Sequence, residues 1–104
     1  MAVSWFMRLS ADFNGLFNQL VCLSHGETCH APDGTPVVVV QGMSATAWEK
    51  NEENGLPDDL LAHGIVEPSP EWLQCRGSRW ALRIDHRGVR HESELTPEER
   101  ADYQ

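Results

Sequence analysis

The chain has 104 residues, 40% of them apolar and 23% charged, with four Trp and a formal net charge of −8. That length is one domain, which excludes multidomain enzymes, α/β barrels and doubly wound folds, and the composition is neither that of a disordered chain nor too poor to fill one core.

The first apolar stretch, around Trp5 to Met7, is interrupted by Arg8 and has neither the basic start nor the apolar core of a signal peptide. Between Ser10 and Leu20, Phe13, Leu16, Phe17 and Leu20 fit one helical face, weakened by Gly15, so helix and strand both stand. Ala31-Pro32-Asp33-Gly34 has Pro and Gly where a hairpin turn needs them. Its arms are expected at Gln19–His25 and at Pro36–Gln41. The second arm is β-branched without alternation, which predicts a central strand covered on both faces. A weaker strand is expected around Ser44–Trp48, and Glu49–Asp59, nearly devoid of apolar residues, reads as an exposed acidic loop.

Pro57-Asp58-Asp59 followed by Gly64 predicts one or two helical turns, with a strand around Gly64–Glu67 and a capped single turn at Ser69–Trp72. Arg79–Asp85 alternates, with Trp80, Leu82 and Ile84 on one face, and predicts a half-buried strand. Asp85-His86-Arg87-Gly88 is a second turn, with Val89–Ser93 as the return arm. Thr96-Pro97-Glu98-Glu99 reads as a helix start.

These elements predict a mainly β fold over residues 1–95: a small SH3-like or OB-like antiparallel barrel of about five strands with short helical turns. Residues 96–104 form a short helical or frayed tail. The alternative is an α+β roll with one N-terminal helix on a four-stranded sheet.

Charge is unevenly distributed. Residues 1–75 carry ten acids against Arg8 and Lys50, whereas residues 76–91 carry Arg76, Arg79, Arg83, Arg87 and Arg90 against Asp85 alone. Residues 92–104 are acidic again. A net acidic field repels phosphates before a local patch can engage, so general nucleic-acid and anionic-membrane binding are disfavoured. The longest strongly apolar run, Val37–Val40, is far short of a membrane span of about 20 residues.

Three cysteines, Cys22, Cys29 and Cys75, cannot all pair within one chain, which points to a reducing, cytoplasmic setting. Two thiols and two imidazoles, Cys22, His25, Cys29 and His30, fall within nine residues and suggest a zinc site as an alternative, although adjacent Cys29 and His30 are poor tetrahedral spacing. Otherwise no cofactor is expected. Arg79, Arg83 and Arg90, with Trp72 or Trp80 for stacking, form a candidate patch for acidic groups, and Trp48 and Trp72 are counted with the arginines as candidate binding residues. The competing expectation is that these arginines pair with the chain's own acids.

No P-loop, dinucleotide fingerprint, His-Glu-x-x-His or nucleophile elbow is present, and the paired carboxylates at Glu52-Glu53 and Asp58-Asp59 lie in the most polar stretch. The expectation is therefore a non-enzymatic, acidic binding or adaptor module with a protein partner. A zinc domain and an acidic mimic of nucleic acid that inhibits a DNA-binding protein are the alternatives, and exposed Trp leaves a homodimer open.

Overall fold

The computed structural model describes residues 7–23, 28–70 and 79–103. Strands β1 (Met7–Ser10) and β2 (Asp12–Phe17) form one run broken at Ala11, and β3 (Leu20–Cys22) returns antiparallel on β2. The reversal takes positive φ at two successive residues, 50° at Asn18 and 66° at Gln19, the backbone of a two-residue turn whose twist matches a β-hairpin. Of the two readings of residues 10–20, strand is the one observed, and the roll with an N-terminal helix is excluded.

The remaining strands are β4 (Cys29–His30), β5 (Pro36–Val37), β6 (Ser44–Glu49), β7 (Glu52–Glu53), β8 (Leu56–Pro57), β9 (Leu60–Pro68), β10 (Trp80–Ile84) and β11 (Arg90–His91). The main sheet runs β1-β6-β9-β10-β3-β2, with β11 also on β9. Its two ends, β1 and β2, are consecutive in the chain, so the sheet curls back onto the run from which it started. This is the small barrel-like β fold expected from the short strands and tight turns. One ladder departs from the antiparallel expectation: β1 pairs with β6 in parallel, Met7 opposite Ala45 through Ser10 opposite Trp48.

Strand alternation sorts the side chains onto two faces. Leu9, Val21, Ala45, Ala47, Ala62, Val66, Leu82 and Ile84 fill the concave side as one buried cluster. Gly64 belongs to that side, and it must be glycine: a Cβ there would lie 2.2 Å from the Arg83 carbonyl oxygen and 2.9 Å from Leu82 Cγ. On the convex side the C-terminal segment covers Leu61 and His63, so Leu61–Gly64 is buried on both faces. That double burial removes alternation, which is why Pro57–Gly64 reads as helix in sequence. The structure places strands β8 and β9 there instead.

Three further expectations are corrected. The Ala31–Gly34 turn does close a hairpin, with Gly34 at φ 91° and its N–H on the Ala31 carbonyl at 2.9 Å, but the arms are the two-residue β4 and β5. The valine run is not a covered central strand, since Val38 is 91% and Val40 61% exposed and only Val39 is buried. After the Asp85–Gly88 turn, with Gly88 at φ 68°, β11 pairs with β9 rather than β10, placing Arg90 opposite Leu61. Within the expected acidic loop, Asn54 (φ 55°) and Gly55 (φ 80°) turn a hairpin between β7 and β8. Of the turn expected at Ser69–Trp72, Glu71 and Trp72 lie outside the described residues.

Cys22 is disulfide-bonded, and Cys29 remains a thiol buried in the concave core. The expectation that the cysteines stay reduced therefore does not hold for Cys22. Among the described residues no helix is long and apolar enough to cross a membrane.

Candidate functional site

The convex face of β6, β9 and β11 holds the densest polar chemistry, because the chain folds back over it after β11. A 3-10 turn at Glu92–Glu94 leads to helix α1 (Pro97–Asp102). Thr96 caps α1: its hydroxyl accepts from Glu99 N at 3.2 Å while the Glu99 carboxylate accepts from Thr96 N at 3.1 Å. The helix is too short to persist alone. It is held by Tyr103, 1% exposed, whose ring lies on His63 with centroids 3.8 Å apart and planes 8° apart. The Arg87 guanidinium lies 5.1 Å from the Tyr103 ring centroid.

Polar contacts fix the same segment. Arg8 donates to the Tyr103 carbonyl at 2.9 and 3.3 Å. Arg90 pairs with the Glu99 carboxylate, which with the Thr96 amide holds Glu99 down to a pKa of about 2. His63 Nδ1 is 2.6 Å from the Thr46 hydroxyl, both side chains being buried. Burial pushes the Tyr103 phenol up, and its buried hydroxyl makes no hydrogen bond among the described residues.

A second knot joins the β8–β9 bend to the 3-10 turn. Asp58 accepts from Ser93 N at 2.8 Å and from the Ser93 hydroxyl at 2.9 Å, and its Oδ2 lies 3.3 Å from His91 Nδ1. The Ser93 amide, followed by its hydroxyl and His91, holds Asp58 below the usual carboxylate range. Although aspartate, serine and histidine meet here, the order is wrong for a nucleophile. Ser93 donates directly to Asp58, whereas activation needs the imidazole between hydroxyl and carboxylate. The adjacent cleft, lined by Arg8, Leu61, Glu92, Leu95, Arg100 and Tyr103, measures about 50 Å³. Small-molecule sites are several times larger, roughly 300 to 1,000 Å³.

The arginines suggested as a patch are separated. Arg83 stands opposite Ile65 and Arg90 opposite Leu61, four residues along β9, or about 13 Å at the usual strand rise. Arg83 forms a two-pronged pair with Glu67 at 2.8 and 3.0 Å, and Arg87 pairs with Asp85 at 2.9 Å. Arg79 is exposed immediately before β10. Trp48 packs against Leu61, Leu95 and Tyr103, and its Nε1 donates to Asp59 at 2.9 Å. Trp72 lies outside the described residues.

For the suggested zinc ligands, Cys22 has its sulfur in a disulfide, Cys29 is buried in the core and His30 is half-buried on β4. His25 lies outside the described residues. No cluster of three or more His, Cys, Asp or Glu side chains able to hold a metal occurs among the described residues. Sequence reasoning missed His63, Thr46, Asp58, Ser93 and Tyr103. The capping signature at Thr96 was visible, and an aromatic residue about two turns beyond it, Tyr103, was the available sign that the helix docks.

Several acids stand at the surface. Glu52 and Glu53 are exposed on the β7–β8 hairpin beside Leu56, itself 69% exposed, and Glu98 is exposed on α1. None of these three carboxylates has an ion-pair partner among the described residues. Compared with known families, curated proteins and solved structures, the chain gives no match.

Proposed function

We propose that this chain is a small non-catalytic binding module that engages a basic surface or segment of a protein partner. One observation carries the reading: Arg83, Arg87 and Arg90 each hold a carboxylate of this same chain, while Glu52, Glu53 and Glu98 stand exposed. Internal pairing engages three arginines of the basic segment, Arg83, Arg87 and Arg90, in a chain whose formal net charge is −8. Such a field accelerates encounter with cationic partners and suppresses anionic ones. The β7–β8 hairpin adds an exposed apolar residue, Leu56, directly across from Glu53, which suits a contact that combines an apolar and a charged group.

The test is capture of partners from native extract by wild-type protein and by Glu52→Lys with Glu53→Lys, identified by mass spectrometry. The reading expects a basic protein retained by wild type at moderate salt and lost by the double variant. Equal retention by both overturns it. Recovery restricted to DNA-binding proteins, and only at low salt, would instead favour mimicry of nucleic acid.

A further inference from the structure

Independently of the basic-partner reading, we propose that the cleft lined by Arg8 and Arg100 seats a single carboxylate, supplied by a free small acid or by an acidic group of a partner. Carboxylates are in excess in this chain, sixteen against eight Lys and Arg. Arg83, Arg87 and Arg90 each hold one. Arg8 and Arg100 hold none among the described residues, although Glu92 lines the same cleft.

Backbone carbonyls anchor the two guanidiniums instead. Arg8 donates from Nε and Nη2 to the Tyr103 carbonyl at 3.3 and 2.9 Å, and Arg100 donates from Nε to the Leu95 carbonyl at 3.4 Å. Arg8 Nη1 and both Nη atoms of Arg100 have no acceptor among the described residues. Each head is thus held along one edge with donors left over, which lowers the ordering cost of taking a ligand. Leu61, Leu95 and Tyr103, all buried, complete the lining and lower the local dielectric, so a charged contact there is stronger than in open water.

Size and charge identify the ligand. The cleft measures about 50 Å³, where one water needs roughly 10–15 Å³, so it admits a group of a few heavy atoms and leaves the rest of the ligand outside. A guanidinium fork matches the two oxygens of a planar carboxylate. Two guanidiniums against Glu92 favour a monoanion, whereas a phosphate dianion would meet Glu92 and the net charge of −8 with twice the repulsion.

The test follows the Nε–Hε signals of Arg8 and Arg100 by NMR in the isotope-labelled full chain, at constant ionic strength. The probes are acetate, chloride, a capped Lys-Glu-Lys peptide and the same peptide with Gln in place of Glu. Acetate or the Glu peptide is expected to shift both signals saturably, with a Kd on the order of 1–10 mM. Acetate binding as tightly as the Glu peptide assigns the seat to a free acid, and tighter binding of the Glu peptide assigns it to a partner's carboxylate. Shifts by acetate and the Glu peptide no larger than those by chloride and the Gln peptide overturn the proposal. Arg8→Gln would also release Tyr103, so the variants are Arg100→Gln, at an exposed position, and Glu92→Gln. Arg100→Gln is expected to weaken binding, read at Arg8, at least about tenfold. Glu92→Gln is expected to tighten it about threefold, a gain that loss of structure cannot produce. Binding unchanged by Arg100→Gln overturns the proposal as well.

Discussion

The Tyr103 ring lies flat on the His63 imidazole, 3.8 Å between centroids, and so joins the end of α1 to the middle of the longest strand. Two opposed contributions meet at this contact. Stacking and burial of a large ring stabilise it, whereas the phenolic hydroxyl is buried without a hydrogen bond among the described residues. An unsatisfied buried hydroxyl costs about 1–3 kcal/mol. Tyr103→Phe keeps the ring and removes the orphan, so it is expected to leave stability unchanged or raise it by about 1 kcal/mol. Tyr103→Ala removes the ring and is expected to destabilise by about 3–5 kcal/mol. Thermal unfolding followed by circular dichroism checks both, and a Phe variant that melts well below wild type would show that the hydroxyl has a partner.

Acid sensitivity follows from the same cover. Glu99 falls from an ordinary value of 4.5 to about 2 through Arg90 and the Thr96 amide. Asp58 is lowered by the Ser93 amide, and Asp85, whose burial opposes ionisation, is still held below its ordinary value by Arg87. A carboxylate whose folded pKa is depressed contributes stability that is complete above its unfolded pKa and lost as pH falls through the folded one. For Glu99 the window therefore runs from about pH 4.5 down to about 2. Stability is expected to fall steadily across that window, and Glu99→Gln to be less stable at neutral pH but flatter below pH 4.5. Urea midpoints measured from pH 7 to pH 2 test this; parallel profiles for the two proteins would remove Glu99 from the account.

How much of this was legible in sequence depended on whether a signal was local. The Arg79–Asp85 alternation, the Ala31–Gly34 and Asp85–Gly88 turns and the Thr96 cap all act within a few residues, and each appears as β10, a turn or α1. Asn54-Gly55 was equally local, but the acids around it masked a hairpin signal. The β9 misreading had another cause: a strand covered by the concave core on one side and by Tyr103 and Leu95 on the other shows no period. For Val37–Val40 four identical side chains hid a real alternation, with Val39 buried between exposed Val38 and Val40. In the candidate site, pairing of Arg83 and Arg90 with acids followed from an excess of carboxylates. The meeting of His63 with Tyr103, and of Asp58 with Ser93, did not, because those contacts arise only when the chain after β11 folds back across β9.

Disulfide bonding of Cys22 makes a prediction independent of the cover. Cys22 lies on β3, 4% exposed, in a small cluster with Leu20 and Ala81. A disulfide limits the unfolded ensemble and typically contributes about 2–4 kcal/mol. Melting with and without reductant is expected to differ, with the reduced protein and Cys22→Ser lying together below the oxidised one. Alkylation under denaturing, non-reducing conditions should then label one thiol per chain, that of Cys29, and reduction should expose two more. Three labelled thiols without reductant would show that Cys22 is reduced.

Gly64 tests the sheet itself. It sits in β9 opposite Ile84, within a stretch buried on both faces, and its missing side chain is what lets the β10 backbone approach. An added methyl at 2.2 Å from the Arg83 carbonyl oxygen cannot be absorbed by a rotamer change, because the obstacle is backbone. The strand must shift, and the ladder that aligns Arg83 with Ile65 and Leu82 with Val66 shifts with it. Gly64→Ala is therefore expected to destabilise by about 3 kcal/mol, at the upper end of overpacking effects, despite replacing glycine by a residue that loses less backbone entropy in a strand. The neighbouring Ile65→Ala, at a half-exposed convex position, removes more atoms and is expected to do less. Denaturant unfolding of the two variants side by side decides it: if Gly64→Ala unfolds at the wild-type midpoint, β9 and β10 do not approach as closely as described.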